Sequence, residues 1–200
     1  YSYYDLLILI MFIIIYFFDL AKEGTLGSGP YVGVTLDHVG KGRRKMAFSI
    51  VHGDIVTMDT DAIVNAANSQ LLAGSGVCGA IFRAAGERAG ELQAECLAKA
   101  PCPTGQSVLT DSYGLKAKYI IHTVGPVWQG GTQGEKDLLY SCYRTALDLA
   151  ADAQCKSIAF PLISAGIFGY PKEEALAVAR QAVTDFLAQG DMDVRLVLYP

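Results

Sequence analysis

The chain has 200 residues, 52% of them hydrophobic, and a formal net charge of -4, enough for one domain with a sizeable core. That charge offers no basic field to a nucleic-acid backbone, so any anionic ligand has to be held mainly by backbone N–H groups and helix N-termini. The 5 cysteines, Cys78, Cys96, Cys102, Cys142 and Cys155, and the 3 histidines form neither a CxxC pair nor a zinc-type cluster. The cysteines read as packed, reduced thiols of a cytoplasmic protein, and no metal and no cofactor is expected.

Residues 1 to 45 differ in character from the rest of the chain. Leu6 to Phe18 is an apolar run closed by Asp5 and Asp19, shorter than the roughly 20 residues of a membrane-spanning helix and without the basic start of a signal peptide. Lysine, glycine and arginine can all be written in purine-only codons. KGRRKM, Lys41 to Met46, is thus what a ribosome-binding site followed by a start codon gives when translated. Met46 is therefore expected to be the native start, with 1 to 45 as upstream read-through and 46 to 200 as the domain. An apolar membrane anchor at 6 to 18 is the alternative, and the sole route to a membrane partner.

From Met46 on, strand-like and helix-like segments alternate. Ala47 to Val51, Ala62 to Asn65, Ser107 to Asp111, Tyr119 to Val124, Ser157 to Pro161 and Val194 to Tyr199 are short, apolar and rich in branched residues, as strands are. Helices are expected over Gly79 to Lys99, Glu135 to Ala153 and Pro171 to Ala188. The last opens with proline and then Glu173 and Glu174, a helix-start pattern. In the middle one Leu138, Leu139, Cys142, Ala146, Leu149 and Ala150 form one stripe. The alternation argues a layered α/β domain with a largely parallel sheet and ligands at the carboxyl ends of its strands.

Two glycine turns occupy such ends. LAGSGVCG, Leu72 to Gly79, follows a strand and precedes a helix, and SAGIFGY, Ser164 to Tyr170, does the same after SIAFP. Together they could present N–H groups to the two halves of a diphosphate, whereas either alone would be only a tight turn. Neither is a P-loop, and no dinucleotide-type G-x-G-x-x-G appears.

GDI at Gly53 to Ile55, DAIVNAAN at Asp61 to Asn68, GSGVCGAIFRAAG from Gly74, YIIHTVGPVW at Tyr119 to Trp128 and PLISAGIFGYP at Pro161 to Pro171 together resemble a bacterial macrodomain, from about Met46 to the chain's end. The resemblance implies a three-layer α/β/α sandwich with a mixed sheet that binds ADP-ribose and often hydrolyses it. It implies that Asp54 accepts a hydrogen bond from the adenine amino group, with the Ile55 amide nearby; a carboxylate suits a donor edge, and the alternative is a helix-cap or turn aspartate. Asn68 would reach the distal ribose, an amide matching paired hydroxyls, while Asn65 would bond the loop backbone. Gly74, Gly76, Val77, Cys78 and Gly79 would run along the distal ribose and one phosphate. Ser164, Ala165, Gly166, Ile167 and Phe168 would hold the second phosphate, with Phe168 as an apolar wall on the ribose.

The residues expected nearest the reacting bond are Asn68, Gly76 and Cys78. Many hydrolytic members carry aspartate where this chain has Cys78, though some hydrolytic relatives have cysteine there. No histidine adjoins this motif to serve as a base, so Cys78 is read as a small side chain fitting the corner between loop and helix, with nucleophile as the alternative. The implied activity is hydrolysis of an ester-type linkage at the distal ribose, on O-acetyl-ADP-ribose or mono-ADP-ribosylated proteins, by a positioned water activated partly by the substrate's diphosphate. A reader module that binds ADP-ribose without turnover is the alternative. Nucleic acid is not an expected partner.

Overall fold

The computed structural model describes residues 47–199. The expected start at Met46 and both readings of residues 1 to 45 lie outside the described residues. The strands β1 (Ala47–His52), β2 (Ala62–Ala66), β3 (Ser107–Asp111), β4 (Tyr119–Thr123), β5 (Ser157–Pro161) and β6 (Asp193–Leu198) form a 6-stranded sheet in the order β1-β6-β5-β2-β4-β3. Neighbours are parallel except β3 with β4, the mixed, largely parallel sheet expected. The helices are α1 (Gly76–Ala84), α2 (Ala89–Lys99), α3 (Glu135–Asp152) and α4 (Lys172–Leu187).

Helices cover both faces of the sheet, which is why its central strands read as unbroken apolar runs. In β2, Ala62 and Val64 pack with Tyr143 and Leu147 of α3 and Val183 of α4. Ile63 points the other way, into a cluster with Ile81 and Phe82 of α1 and Leu92 of α2. The sheet thus divides the core, giving an α/β/α sandwich. Each fully buried Ile or Leu in these layers contributes about 2 kcal/mol by removal from water. Alanines at Ala146, Ala150, Ala175, Ala179 and Ala182 keep the α3–α4 layer close to the sheet. Among the described residues no helix is long and apolar enough to cross a membrane.

Two expectations need correction. The single helix over Gly79 to Lys99 is two: α1 starts earlier, at Gly76, and the run breaks at a 3-10 turn over Gly86–Arg88. Gly86 has φ +56°, a left-handed conformation that ends a helix and favours glycine. On α3, Leu139, Cys142, Ala146 and Ala150 are buried as the stripe requires, but Leu138 and Leu149 are only half-buried. Tyr143 and Leu147, four and eight residues after Leu139, complete the buried face at 3.6 residues per turn, and Leu138 and Leu149 fall on its flank.

Candidate functional site

β2 and β5 are parallel neighbours, but the chain leaves β2 for α1 on one face and leaves β5 for α4 on the other. Their exits diverge, and a crevice opens at their carboxyl ends. Both glycine turns stand there. β1 and β4 run the same way, so their exits, at Gly53–Asp54 and Val124–Gly125, lie on the same edge.

The turn after β2 is stapled by side-chain amides. Asn68 Nδ2 donates to the Leu72 carbonyl at 2.7 Å, and its Oδ1 accepts from the Leu72 N–H at 3.1 Å. From α2, Gln93 Nε2 donates to the Leu71 carbonyl at 3.1 Å and Oε1 accepts from Ala73 N–H at 2.8 Å. Each amide atom of Asn68 keeps one further hydrogen-bonding capacity. At Gly79 a side chain's first carbon would lie 2.5 Å from the Gly74 carbonyl oxygen, so only glycine lets helix and turn close. Among the described residues, the N–H groups of Gly74, Ser75, Gly76, Val77 and Cys78 find no protein acceptor, as a helix start leaves them.

Asn65 does not bond the loop backbone; that part falls to Asn68. Asn65 lies fully buried under the turn, where Nδ2 meets Cys78 Sγ at 3.5 Å and His122 Nδ1 at 3.0 Å. Its Oδ1 is buried without a partner. Because Nδ1 faces an amide donor, the ring proton of His122 sits on Nε2 and is given to Thr110 Oγ1 at 3.0 Å, with Cys96 Sγ at 3.6 Å. Burial pushes the His122 pKa down to about 4, so the ring is neutral. The Cys78 thiol donates to the Leu72 carbonyl at 3.7 Å. An amide therefore separates His122 from Cys78, and the pair lacks the direct contact that nucleophile and base require.

The turn after β5 is built from backbone and aromatic rings. Gly169 N–H donates to Gly166 O at 2.9 Å and Tyr170 N–H to Ser164 O at 3.0 Å. Ser164 has φ +64°, a left-handed conformation uncommon outside glycine, and its buried Oγ has no partner. Gly125 allows this: a first side-chain carbon there would fall on Ser164 Oγ and lie 2.7 Å from Ile163 Cγ2. Trp128 N–H donates to Phe168 O at 2.9 Å, and its ring packs on Tyr170 at 4.5 Å. The N–H groups of Gly166, Ile167 and Phe168 find no acceptor among the described residues. Ile167 is 81% exposed, and Ala165 and Phe168 are half-buried.

Asp54 is half-exposed and caps the 3-10 turn Ile55–Thr57, its Oδ1 accepting from Val56 N–H at 3.1 Å. The turn-capping role weighed for it is thus present, and Oδ2 remains for another donor. Gln93, Gly125 and Trp128, none of them a site residue expected from the sequence, also shape the two turns. Gly125 and Trp128 lie within the YIIHTVGPVW segment, whereas nothing marked Gln93. Among the described residues no group of three or more His, Cys, Asp or Glu side chains is placed to hold a metal ion.

The fold is an α/β/α domain with unspent backbone N–H groups gathered at the carboxyl edge of a mostly parallel sheet. The Macro domain profile matches residues 64–179. A Macro domain-containing protein of Methanosarcina mazei is 55% identical over 152 residues, covering 75% of this chain and 80% of that protein. The Oceanobacillus iheyensis macrodomain with ADP superposes with a TM-score of 0.70 at 42% identity, over 76% of this chain and 82% of the other. The Trypanosoma brucei macrodomain in complex with ADP-ribose gives 0.69 at 38%, over 78% and 64%. The chain belongs to the Macro domain family.

Proposed function

We propose that residues 46 to 200 bind ADP-ribose across the carboxyl edge of the sheet and hydrolyse an ester-type linkage at its distal ribose. One observation carries the binding reading: the order of the loops. Along the edge come the Asp54 turn after β1, then the Ser164–Phe168 turn after β5, then the Asn68–Gly79 turn after β2. An acceptor, a bare-backbone turn, then amide and bare backbone match adenine, phosphate, and phosphate with ribose in sequence. With strands about 4.8 Å apart, the three steps from β1 to β2 span about 14 Å, a length suited to an extended nucleoside diphosphate. The ADP and ADP-ribose complexes of the two macrodomains named above support the ligand class.

For turnover, Asn68 and the N–H groups of Gly76 to Cys78 hold the ribose and the reacting centre, while the diphosphate itself helps activate a water. Such positioning and electrostatic stabilisation lower a barrier without a covalent step. Substrates of this kind are O-acetyl-ADP-ribose and proteins mono-ADP-ribosylated on acidic side chains. The free cysteines support a cytoplasmic setting. A reader module is favoured by one observation, that a thiol tied to the Leu72 carbonyl and the Asn65 amide stands at Cys78 and offers no free base. Incubating the chain with O-acetyl-ADP-ribose and with a mono-ADP-ribosylated protein, and following free ADP-ribose, separates the two. Tight ADP-ribose binding with no release from either substrate establishes the reader.

A further inference from the structure

The segment after β4 leads to a buried carboxylate outside the residues assigned to the ligand above. Glu135, the first residue of α3, is 2% exposed. One of its oxygens accepts from the N–H groups of Gln129 at 3.0 Å and Gly131 at 3.2 Å, and the other accepts from Gln133 at 2.6 Å. Burial pushes its pKa up, but the backbone donors outweigh this and hold it below the usual carboxylate range, so it is ionised at neutral pH. The carboxylate acts as the anion at the centre of a backbone nest, and it folds QGGTQG, Gln129 to Gly134, back over Trp128. The closeness of that fold shows at Gly131. Its φ is +79°, and a first side-chain carbon there would lie 2.8 Å from the indole.

Trp128 passes this constraint to the turn after β5. Its N–H donates to Phe168 O at 2.9 Å and its ring packs on Tyr170 at 4.5 Å. Phe168 and Tyr170 flank Gly169 in the turn whose N–H groups are assigned to phosphate. A chain of direct contacts therefore runs from Glu135 to the nest loop, to Trp128, to the phosphate turn. None of its first three members belongs to the proposed ligand shell.

We propose that Glu135 is a positioning residue for the diphosphate, acting through Trp128, and that the emission of Trp128 reports occupancy of the turn after β5. The proposal rests on the ADP-ribose reading above. Trp128 is the only tryptophan in the chain, so the signal is unambiguous.

The test titrates ADP-ribose, and separately adenosine, into the unaltered chain and into Glu135→Gln, reading heat and tryptophan emission. Glutamine keeps the shape but turns an NH2 group toward backbone donors, so part of the nest is lost. The expected result is ADP-ribose binding weakened about tenfold or more, with adenosine affinity unchanged and the ligand-dependent change of Trp128 emission abolished. Gly131→Ala leaves the carboxylate in place, disturbs the same contact on Trp128 and is expected to act in the same direction. If circular dichroism shows Glu135→Gln unfolded, Gly131→Ala decides by the same criteria. Equal weakening of both ligands, or unchanged ADP-ribose affinity in the variants, overturns the proposal alone. Failure of the unaltered chain to bind ADP-ribose overturns the function reading and this proposal with it.

Discussion

The two glycine turns at the crevice solve the same problem by different means. The turn after β2 rests on a polar footing, in which Asn68 and Gln93 tie its backbone and Asn65, His122 and Thr110 form a buried hydrogen-bonded chain beneath Cys78. The turn after β5 rests on its own backbone bonds, on aromatic packing by Trp128 and on the Tyr143 hydroxyl at its root. A polar footing fixes the turn through side-chain amides but exposes it to protonation from below. An aromatic footing leaves the N–H groups of its turn unspent. Buried polar groups cost more when left unpaired than apolar ones do, so the two turns should fail differently.

The largest effect is expected from acid. His122 is neutral in the fold, with a pKa lowered from 6.5 to about 4. Between those values the unfolded chain takes up a proton that the folded chain refuses, so stability is complete above about pH 6.5 and is lost as pH falls toward 4. That loss amounts to about 3 kcal/mol. Denaturant unfolding at pH 7 and pH 4 should show the unaltered chain losing about that much more than His122→Gln; equal losses would remove His122 from the footing.

Asn68→Ala comes next. With the ribose no longer held and Leu72 unbonded, turnover at saturating substrate should fall about a hundredfold, and a change confined to KM would reduce Asn68 to ground-state binding. Asp54→Ala should weaken ADP-ribose by about 1–3 kcal/mol through loss of a charged acceptor. Ribose-5-phosphate, which lacks adenine, should bind as before; equal weakening of both would leave Asp54 with the cap alone.

On the aromatic side, Tyr143→Phe removes the hydroxyl that accepts from Ile163 N–H at 3.2 Å and donates to Pro161 O at 3.4 Å. It should cost about 1 kcal/mol in chemical denaturation, and no loss would show that the root of the second turn does not depend on it. The smallest effect is expected of Cys78→Ser, which fits the same corner and should keep most of the turnover. A fall to background with normal ADP-ribose binding, or a covalent ribosyl adduct on the thiol, would replace the water mechanism with a cysteine nucleophile.

Much of the fold was legible in the sequence because its signals are local. SIAFP and SVLTD begin and end as strands where their branched residues and flanking turns say they should. Pro171 and the acids behind it mark the start of α4 within a residue. The break at Gly86 was missed because a single glycine within a helical pattern is usually tolerated, and its left-handed φ depends on how α1 and α2 pack. At the site, the motif residues on the two turns could be named from the chain. Gln93 could not, since a lone glutamine on an amphipathic helix looks like any solvated residue until the turn after β2 comes within reach.

What the sequence by itself determined is therefore the periodic and the punctual: a layered α/β domain with a largely parallel sheet, from apolar runs and helical stripes, and two glycine turns at strand ends. Backbone conformation and burial preference reside in neighbouring residues, so such features can be read in order along the chain. What only the tertiary structure decided is which side chains meet across it. The sequence alone could not put Asn65 against His122, 57 residues apart, or Trp128 against Phe168 and Tyr170, or three N–H groups on the Glu135 carboxylate. Those pairings follow from strand order and from the divergence of β2 and β5 at the crevice, and hydrogen bonds act only over about 3 Å, a distance set by the packed fold.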